Sequence, residues 1–139
     1  MLAGEHMRLL IADDSEVIVQ RLVTMLAGVD GLEIVGRAGT VLEASRAVRA
    51  LKPDAMILDL RMPGGSGIDV LESMKRDGVA PIVIVLTNYL YPQYRRRCQE
   101  SGAQFFMGKS TEFEQVGAVL SSLIRQAETE DRREGSGRD

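Results

Sequence analysis

Five short apolar runs, each the length of a β-strand, alternate along the chain with segments whose apolar residues recur at helical spacing. The runs lie at 8–12, 32–36, 55–58, 82–86 and 104–107. The third and fourth, AMIL and IVIVL, are continuously apolar, which is typical of strands buried on both faces of a parallel sheet. The pattern therefore predicts five strands, each followed by a helix.

Local signals indicate where several of these helices begin. Three residue pairs fit or nearly fit a capping box: Thr40 with Glu43, Thr111 with Glu114, and Ser66 with Asp69. Pro92 suits the first turn of the fourth helix, which is the weakest of the five because its sequence, YPQYRRRCQE, is so polar. Alternation along the last strand predicts that Phe105, rather than Phe106, is the core residue of that pair.

Five βα units in 139 residues predict an open three-layer α/β sandwich. The common solution with five strands is the flavodoxin-like (βα)5 fold, whose parallel five-stranded sheet has the order 2-1-3-4-5. Periodicity alone does not establish that order, which is an expectation at the level of the fold. Ligands of such folds bind at the carboxyl ends of the strands.

Composition narrows the chemistry. Hydrophobic residues make up 45% and charged residues 27% of the chain, so it can bury a core. A net charge of −3 argues against direct nucleic-acid binding. Single cysteine and histidine residues, Cys98 and His6, exclude an intrachain disulfide, a Ser-His-Asp triad and a multi-histidine metal site. The chemistry must come from carboxylates, hydroxyls and lysines, and Cys98 is expected to pack as a small apolar residue.

The ends of the chain differ from its middle. We expect one domain at 7–127, preceded by leader or added residues at 1–6 and followed by a solvated tail at 128–139, which has no apolar residue. No apolar run approaches the length that spans a bilayer, and the first residues lack the apolar centre of a signal peptide. These features predict a cytoplasmic protein without a membrane partner.

Polar residues follow four of the predicted strands where each ends. Asp13 and Asp14 follow the first strand, Asp59 follows the third, Thr87 ends the fourth, and Lys109 follows the fifth. Adjacent strands lie about 4.8 Å apart, so the proposed order brings three carboxylates, a hydroxyl and an ammonium to one edge of the sheet. Taken singly, each aspartate is also explained as a helix N-cap and the lysine as a surface residue, but their joint placement favours a site.

The chemistry of such a group of residues is specific. Three neighbouring carboxylates repel one another unless a cation lies among them, and a site of oxygen ligands suits Mg²⁺. A carboxylate beside Mg²⁺ is a nucleophile towards phosphorus and forms an aspartyl phosphate. The metal and the ammonium neutralise the phosphoryl oxygens, and the hydroxyl donates a hydrogen bond to one of them.

At these residues the chain resembles the receiver domains of two-component response regulators, from about Met7 to Ala127. The matching segments are the acidic pair Asp13-Asp14, the stretch DLRMPGGSG at 59–67, Thr87 after the IVIVL strand, and SGAQFFMGK at 101–109. Each segment alone is a weak signal. Together, in this order and at these distances, they are specific.

The resemblance implies a phosphoacceptor and a set of magnesium ligands. Asp59 is expected to accept the phosphoryl group and to ligate the metal. Asp14 is expected to bind Mg²⁺ directly, and Asp13 largely through water. The backbone carbonyl of Arg61 is expected to supply a further ligand.

The resemblance also assigns residues around the phosphoryl group. Thr87 and Lys109 are expected to hold it, and Phe106 matches the aromatic position whose rotamer reports activation, so that Thr87 and Phe106 form the switch. Arg61 and Tyr89 occupy positions that influence hydrolysis in this family. Their large side chains predict a shielded, longer-lived phosphoryl state.

Three residues depart from the family pattern. Ser110 follows the lysine where the family usually has proline, so no cis peptide is expected there. Asn88 stands where a small residue is usual, and its bulk is expected to narrow access for the phosphodonor. Phe106 lacks the hydroxyl of a tyrosine, so its switching is expected to be steric.

By this resemblance the protein is a signalling switch that assists its own phosphorylation and dephosphorylation rather than an enzyme. A sensor histidine kinase or phosphotransfer protein donates the phosphoryl group. A downstream protein or a second copy binds the face formed by the fourth helix, fifth strand and fifth helix, which carries Tyr91, Tyr94 and the arginines at 95–97.

Other interpretations remain open or fail on particular residues. The chain is either a stand-alone receiver, which the segment KSTEF favours, or part of a longer DNA-binding regulator. A small aspartyl-phosphate phosphatase needs an acid two residues after the nucleophile, where this chain has Arg61. A flavodoxin needs a glycine- and hydroxyl-rich phosphate loop after the first strand, where Asp13 and Asp14 stand. A P-loop ending at Lys109 needs a glycine in place of Ala103.

Overall fold

Helices and strands alternate throughout the protein. The computed structural model describes residues 7–137, with side chains described through Glu130; the predicted leader, 1–6, lies outside these residues. The main elements are β1 (Met7–Ala12), α1 (Glu16–Leu26), β2 (Leu32–Ala38), α2 (Val41–Leu51), β3 (Ala55–Leu58), α3 (Gly67–Asp77), β4 (Ile82–Thr87), α4 (Pro92–Glu100), β5 (Phe105–Gly108) and α5 (Val116–Gly137). A hairpin of two-residue strands, Arg61–Met62 and Gly65–Ser66, precedes α3, and a 3-10 turn, Phe113–Gln115, precedes α5.

The five main strands form one parallel sheet in the order β2-β1-β3-β4-β5, which confirms the predicted flavodoxin-like topology. Ala12 pairs with Leu58, Leu58 pairs with Val85, and Thr87 pairs with Gly108. This register places the carboxyl ends of β1, β3, β4 and β5 at the same edge of the sheet.

Helices cover both faces of the sheet and give the predicted three layers. On one face, α2, α3 and α4 contribute Val48, Leu71 and Cys98 to a continuous apolar core. On the other face, α1 and α5 contribute residues such as Leu22 and Leu120. Cys98 is fully buried in the first core, as predicted, and this burial raises the pKa of its thiol to about 11, so the thiol is the stable form at neutral pH.

The prediction for the two phenylalanines of β5 is wrong. Phe106 is only 6% exposed and packs in the core beneath α2, α3 and α4. Phe105 is half-buried and packs against the opposite core. Alternation separates core from surface only when one face of a sheet is open to water, and here helices cover both faces.

The capping predictions have mixed outcomes. Ser66 and Asp69 form the complete capping box at the start of α3, and Pro92 occupies the first turn of α4. The Thr40 hydroxyl accepts a hydrogen bond from the backbone of the residue three positions on. The prediction of a capping box at Thr111 and Glu114 is wrong. The chain forms a 3-10 turn there, and no side chain caps that turn.

The last helix is longer than the sequence pattern indicates. It continues to Gly137, so most of the segment predicted as a solvated tail, 128–139, belongs to this helix. The side chains at 128–130 are exposed, as expected of so polar a segment. Glu and Arg are good helix formers, so the helix persists beyond Ile124, the last buried residue among the side chains described up to Glu130.

In the described part of the chain, no helix combines the length and the apolar composition needed to cross a membrane.

Candidate functional site

Three aspartates converge at the carboxyl ends of β1 and β3. Asp13, Asp14 and Asp59 each offer a carboxylate oxygen, and these oxygens lie within 4.8 Å of one another. Asp13 and Asp59 are 5% and 4% exposed, whereas Asp14 faces solvent. Two buried carboxylates beside an exposed one form a concentrated negative charge at the edge of the sheet.

The start of α1 holds Asp13 in place. One oxygen of its carboxylate, Oδ1, accepts a hydrogen bond of 2.8 Å from the backbone N–H of Ser15. Ser15 is the N-cap of α1, and its hydroxyl accepts a 3.3 Å hydrogen bond from the backbone N–H of Ile18. The N-cap is therefore Ser15, which was not predicted for this role, rather than one of the two aspartates before it. The hydroxyl of Ser15 in the sequence DDSEV was the available signal.

Lys109 neutralises part of this charge. Its Nζ lies 2.7 Å from Oδ2 of Asp13 and 3.2 Å from Oδ2 of Asp59. Burial opposes the charge of the ammonium, but the hydrogen bond to Asp13 and the charge of Asp59 outweigh it and raise the pKa of Lys109. The lysine therefore remains charged at the bottom of the site.

The acidity of Asp59 reflects its surroundings. Burial and the neighbouring charge of Asp13 raise the pKa of Asp59, while Lys109 and a backbone hydrogen bond from Arg61 act in the opposite direction. The net effect is an upward shift from the ordinary value. A cation near Asp59 would favour its ionised form.

Thr87 and Lys109 are joined through the backbone. The N–H of Lys109 donates a 2.9 Å hydrogen bond to the carbonyl oxygen of Thr87. The Thr87 side chain is fully buried, and its Oγ1 accepts a 3.0 Å hydrogen bond from the N–H of Tyr89. The hydroxyl thus lies at the expected end of β4 but is engaged in its own turn in this state of the protein.

An open cleft of about 440 Å³ gives access to Asp14 and Asp59. Its lining includes Asp14, Asp59, Asn88, Lys109, and the side chains of Arg61 and Tyr89. The guanidinium carbon of Arg61 lies 4.9 Å from the centre of the Tyr89 ring, a distance at which a cation and an aromatic face attract each other. The two large residues are therefore stacked together beside the mouth of the site.

The turn after β3 depends on a glycine. A Cβ atom at Gly67 would overlap the backbone carbonyl oxygen of Asp59, and would also come within 3.1 Å of the Leu58 side chain. The backbone N–H of Gly67 donates a 2.9 Å hydrogen bond to the carbonyl of Leu60. The start of α3 thus packs directly against the backbone that carries Asp59.

Two of the three departures from the family pattern, Asn88 and Ser110, are in contact. The Ser110 hydroxyl lies 3.3 Å from Oδ1 of Asn88 and donates a hydrogen bond to it. Both side chains are exposed, and no peptide bond among the described residues is cis, as the serine predicted. The bond links the loop after β4 to the loop after β5, a pairing that no local sequence signal indicates.

Phe106 lies beneath an arginine of α4. The guanidinium carbon of Arg95 is 4.8 Å from the centre of its ring. Tyr91, the N-cap residue of the same helix, is 54% exposed and meets Tyr94 edge to face with ring centres 5.7 Å apart. The face of α4, β5 and α5 thus combines aromatic and cationic groups above the buried Phe106.

Comparison with known proteins decides the family. Residues 9–121 match the model of the response regulator receiver domain. The chain belongs to this family. Receiver domains are phosphoaccepting signalling domains of two-component systems, they bind Mg²⁺ at an acidic pocket, and they interact with histidine kinases or phosphotransfer proteins.

Relatives and solved structures agree with this assignment. The chain is 38% identical over 102 residues to the transcriptional regulatory protein PdtaR of Mycobacterium tuberculosis, covering 73% of this chain and 49% of that protein. It is 30% identical over 118 residues to the uncharacterized transcriptional regulatory protein YvfU of Bacillus subtilis, covering 85% and 59%. The response regulator domain of Thermotoga maritima CheB superimposes with a TM-score of 0.76 at 29% identity, covering 88% and 96%.

The relatives are longer than the chain. It spans about half the length of the curated proteins that it matches. Their names describe them as transcriptional regulatory proteins, and this description applies to the relatives themselves.

Proposed function

We propose that this receiver domain is a phosphoryl-activated switch in which Asp59 is the phosphoacceptor. The observation that supports this most strongly is the placement of the Asp59 carboxylate. It is buried at the end of β3, 3.2 Å from the Lys109 ammonium, and it lines an open cleft. A nucleophile towards phosphorus needs access from solvent on one side and a cation on the other, and Asp59 has both.

The aspartates suit a magnesium ion. Their oxygens are hard ligands of the kind that Mg²⁺ prefers, and they lie within 4.8 Å of one another. Lys109 supplies one positive charge against the three carboxylates, so the site favours a further cation. Asp13, Asp14, Asp59 and the backbone carbonyl of Arg61 would hold the ion. When bound, Mg²⁺ would neutralise charge on the phosphoryl oxygens.

The reaction that we propose is a phosphoryl transfer from a phosphohistidine of a kinase or phosphotransfer protein. A carboxylate oxygen of Asp59 forms a bond to phosphorus as the P–N bond of the donor breaks. The electron pair of that bond leaves with the imidazole nitrogen, which then takes up a proton. Lys109 pairs with a phosphoryl oxygen, exchanging part of its contact with Asp59 for this new partner.

Thr87 and Phe106 are proposed to transmit the change. The Thr87 hydroxyl donates to a phosphoryl oxygen once its turn around Tyr89 rearranges. Because Phe106 lies buried under α4 with Arg95 above its ring, its repacking alters the face of α4, β5 and α5. We propose that this face binds a downstream protein or a second copy in the cytoplasm.

The stack of Arg61 and Tyr89 is proposed to slow hydrolysis. Water must reach the phosphorus of the aspartyl phosphate opposite Asp59, and the cleft that admits it is lined by these two side chains. Held together by their contact, they restrict that approach. The protein then assists both its own phosphorylation and, slowly, its own dephosphorylation.

Intact-mass measurement tests the proposed function. The protein is incubated with a small phosphodonor, phosphoramidate, in the presence of Mg²⁺, with an EDTA sample and an Asp59→Asn variant as controls. We expect a gain of one phosphoryl group that requires both the metal and Asp59. A gain of equal extent in Asp59→Asn, or none in the parent, would contradict the proposal.

A further inference from the structure

The backbone at the end of β5 faces an open edge of the sheet. Among the described residues, β5 is the edge strand of the sheet and pairs with β4 alone. The N–H of Lys109 points inwards and donates to Thr87. Because successive N–H groups of a strand point to opposite sides, the N–H of Gly108 points away from the sheet. Gly108 is nevertheless buried, so this N–H needs a partner from outside the sheet.

Glu112 supplies that partner. Its Oε1 accepts a hydrogen bond of 3.0 Å from the N–H of Gly108. Its own N–H donates a hydrogen bond of 2.9 Å to the carbonyl oxygen of Gly108. One half-buried residue thus satisfies both backbone groups of the glycine, and the loop between them closes into a ring of hydrogen bonds.

Lys109 is one of the loop residues between Gly108 and Glu112. It follows Gly108 directly, so the hydrogen bond that Glu112 accepts from Gly108 and the one that it donates to Gly108 help to set the direction in which the Lys109 side chain leaves the strand. The far end of that side chain contacts two carboxylates at 2.7 Å and 3.2 Å. A small rotation at the backbone is amplified along the four-carbon side chain, so the position of the ammonium depends on how firmly the loop is held.

The loop is closely packed on its other side. A Cβ atom at Gly108 would lie 2.5 Å from Oγ1 of Thr111 and 2.9 Å from Cδ1 of Leu90. The side chains of Thr111 and Leu90 therefore fill the space next to Gly108. At the open edge of the sheet, the carboxylate of Glu112 is the acceptor for the N–H of Gly108.

We propose that Glu112 is a positioning residue that holds Lys109 in place for phosphoryl transfer. It touches neither the aspartates nor the cleft, and it acts through the backbone of Gly108. The inference rests on the proposed function, because it gives Lys109 the task of binding a phosphoryl oxygen. Glu112 had no predicted role at the site in the sequence analysis: the segment KSTEF, which contains it, bears there only on whether the receiver stands alone.

Two substitutions separate the hydrogen bond from the charge. Glu112→Gln keeps an oxygen that accepts from Gly108, whereas Glu112→Ala removes it. We expect Glu112→Ala to lower the rate of phosphorylation by phosphoramidate about tenfold, as small misplacements in a site do, and Glu112→Gln to stay near the parent rate. Glu114→Ala is the matched control, since this exposed acid lies two positions on in the same segment.

A double-mutant comparison distinguishes positioning from a general loss of structure. If Glu112 acts through Lys109, Glu112→Ala has no further effect on the rate in a Lys109→Ala background. The affinity for Mg²⁺, measured by calorimetry, is expected to stay within twofold of the parent. Should Glu112→Ala fail to fold, Glu112→Asp replaces it in the same comparisons, because its shorter side chain reaches Gly108 poorly.

The outcomes are distinct. Equal rates in the parent and Glu112→Ala would overturn the inference and leave the proposed function intact. So would an equal fractional loss with and without Lys109, or a loss in Glu112→Gln as large as in Glu112→Ala. A parent that gains no phosphoryl group would contradict the proposed function itself, and the inference would fall with it.

Discussion

A substitution at Asp14 should weaken the binding of Mg²⁺ while leaving the stability of the fold almost unchanged. It is exposed, whereas Asp13 and Asp59 are buried and paired with Lys109. Among the ion pairs of the described residues, none involves Asp14. We therefore expect Asp14→Asn to change the free energy of unfolding without metal by less than about 0.5 kcal/mol.

Magnesium should stabilise the parent through binding to the folded state. At a Mg²⁺ concentration ten times the dissociation constant, the stabilisation is about 1.4 kcal/mol. For a chain of 139 residues this corresponds to a rise in melting temperature of about 4 to 7 °C. If losing one carboxylate weakens binding about tenfold, the same Mg²⁺ concentration stabilises Asp14→Asn by only about 0.4 kcal/mol.

Thermal unfolding with and without Mg²⁺, at constant ionic strength, measures both quantities. Asp30→Asn is the matched control, because Asp30 is also exposed but lies in the loop after α1. It should respond to Mg²⁺ like the parent. A Mg²⁺-induced rise in Asp14→Asn as large as that of the parent would refute the assignment of Asp14 as a ligand.

Three further outcomes follow from the structure. Gly67→Ala forces a Cβ atom onto the backbone of the phosphoacceptor and should lower the free energy of unfolding by about 1–3 kcal/mol in urea titrations. Gly28 has open space around it, so Gly28→Ala should leave the free energy of unfolding unchanged. Equal urea midpoints for Gly67→Ala and Gly28→Ala would contradict this account. Arg61→Ala and Tyr89→Ala should each speed loss of the phosphoryl group, followed by intact mass after donor removal; unchanged rates in both would refute the shielding hypothesis. Phe106→Ala should lower the free energy of unfolding by about 3–5 kcal/mol in the same titrations, and Phe105→Ala should lower it by less. A larger loss in Phe105→Ala would contradict the observed packing.

The sequence was sufficient to predict the sheet and the residues at its edge. Continuous apolar runs such as AMIL leave few alternatives to a buried parallel strand, and the residue after such a strand lies at the carboxyl edge. The convergence of Asp13, Asp59 and Lys109 therefore follows from strand order alone. Once that order is known, no side-chain detail is needed to place them together.

The errors concern features that depend on tertiary packing. Which phenylalanine of β5 is more buried depends on how α4 and α5 cover the two faces, and alternation carries no such information. The box expected at Thr111 and Glu114 is lost because the loop closes instead around Gly108, through the carboxylate of Glu112. That contact satisfies a backbone group at the sheet edge, which appears only in three dimensions.

Contacts between distant loops could not be predicted from the sequence either. The hydrogen bond between Asn88 and Ser110 joins residues 22 positions apart, and each is an ordinary polar loop residue in the sequence. The stack of Arg61 on Tyr89 depends on the turn after β3 meeting the loop after β4. In both cases the sequence predicts where each residue lies along the chain, and the contact between the two residues is visible only in the structure.

Chemical trapping at the phosphoacceptor tests the central claim most directly. An aspartyl phosphate is reduced by borohydride, whereas a free carboxylate is not, so reduction after phosphorylation marks the modified residue for peptide mapping by mass spectrometry. We predict that the peptide containing Asp59 carries homoserine at that position, only when Mg²⁺ and donor were present. Homoserine at Asp13 or Asp14 instead, or at none of the three in a phosphorylated sample, would contradict the account.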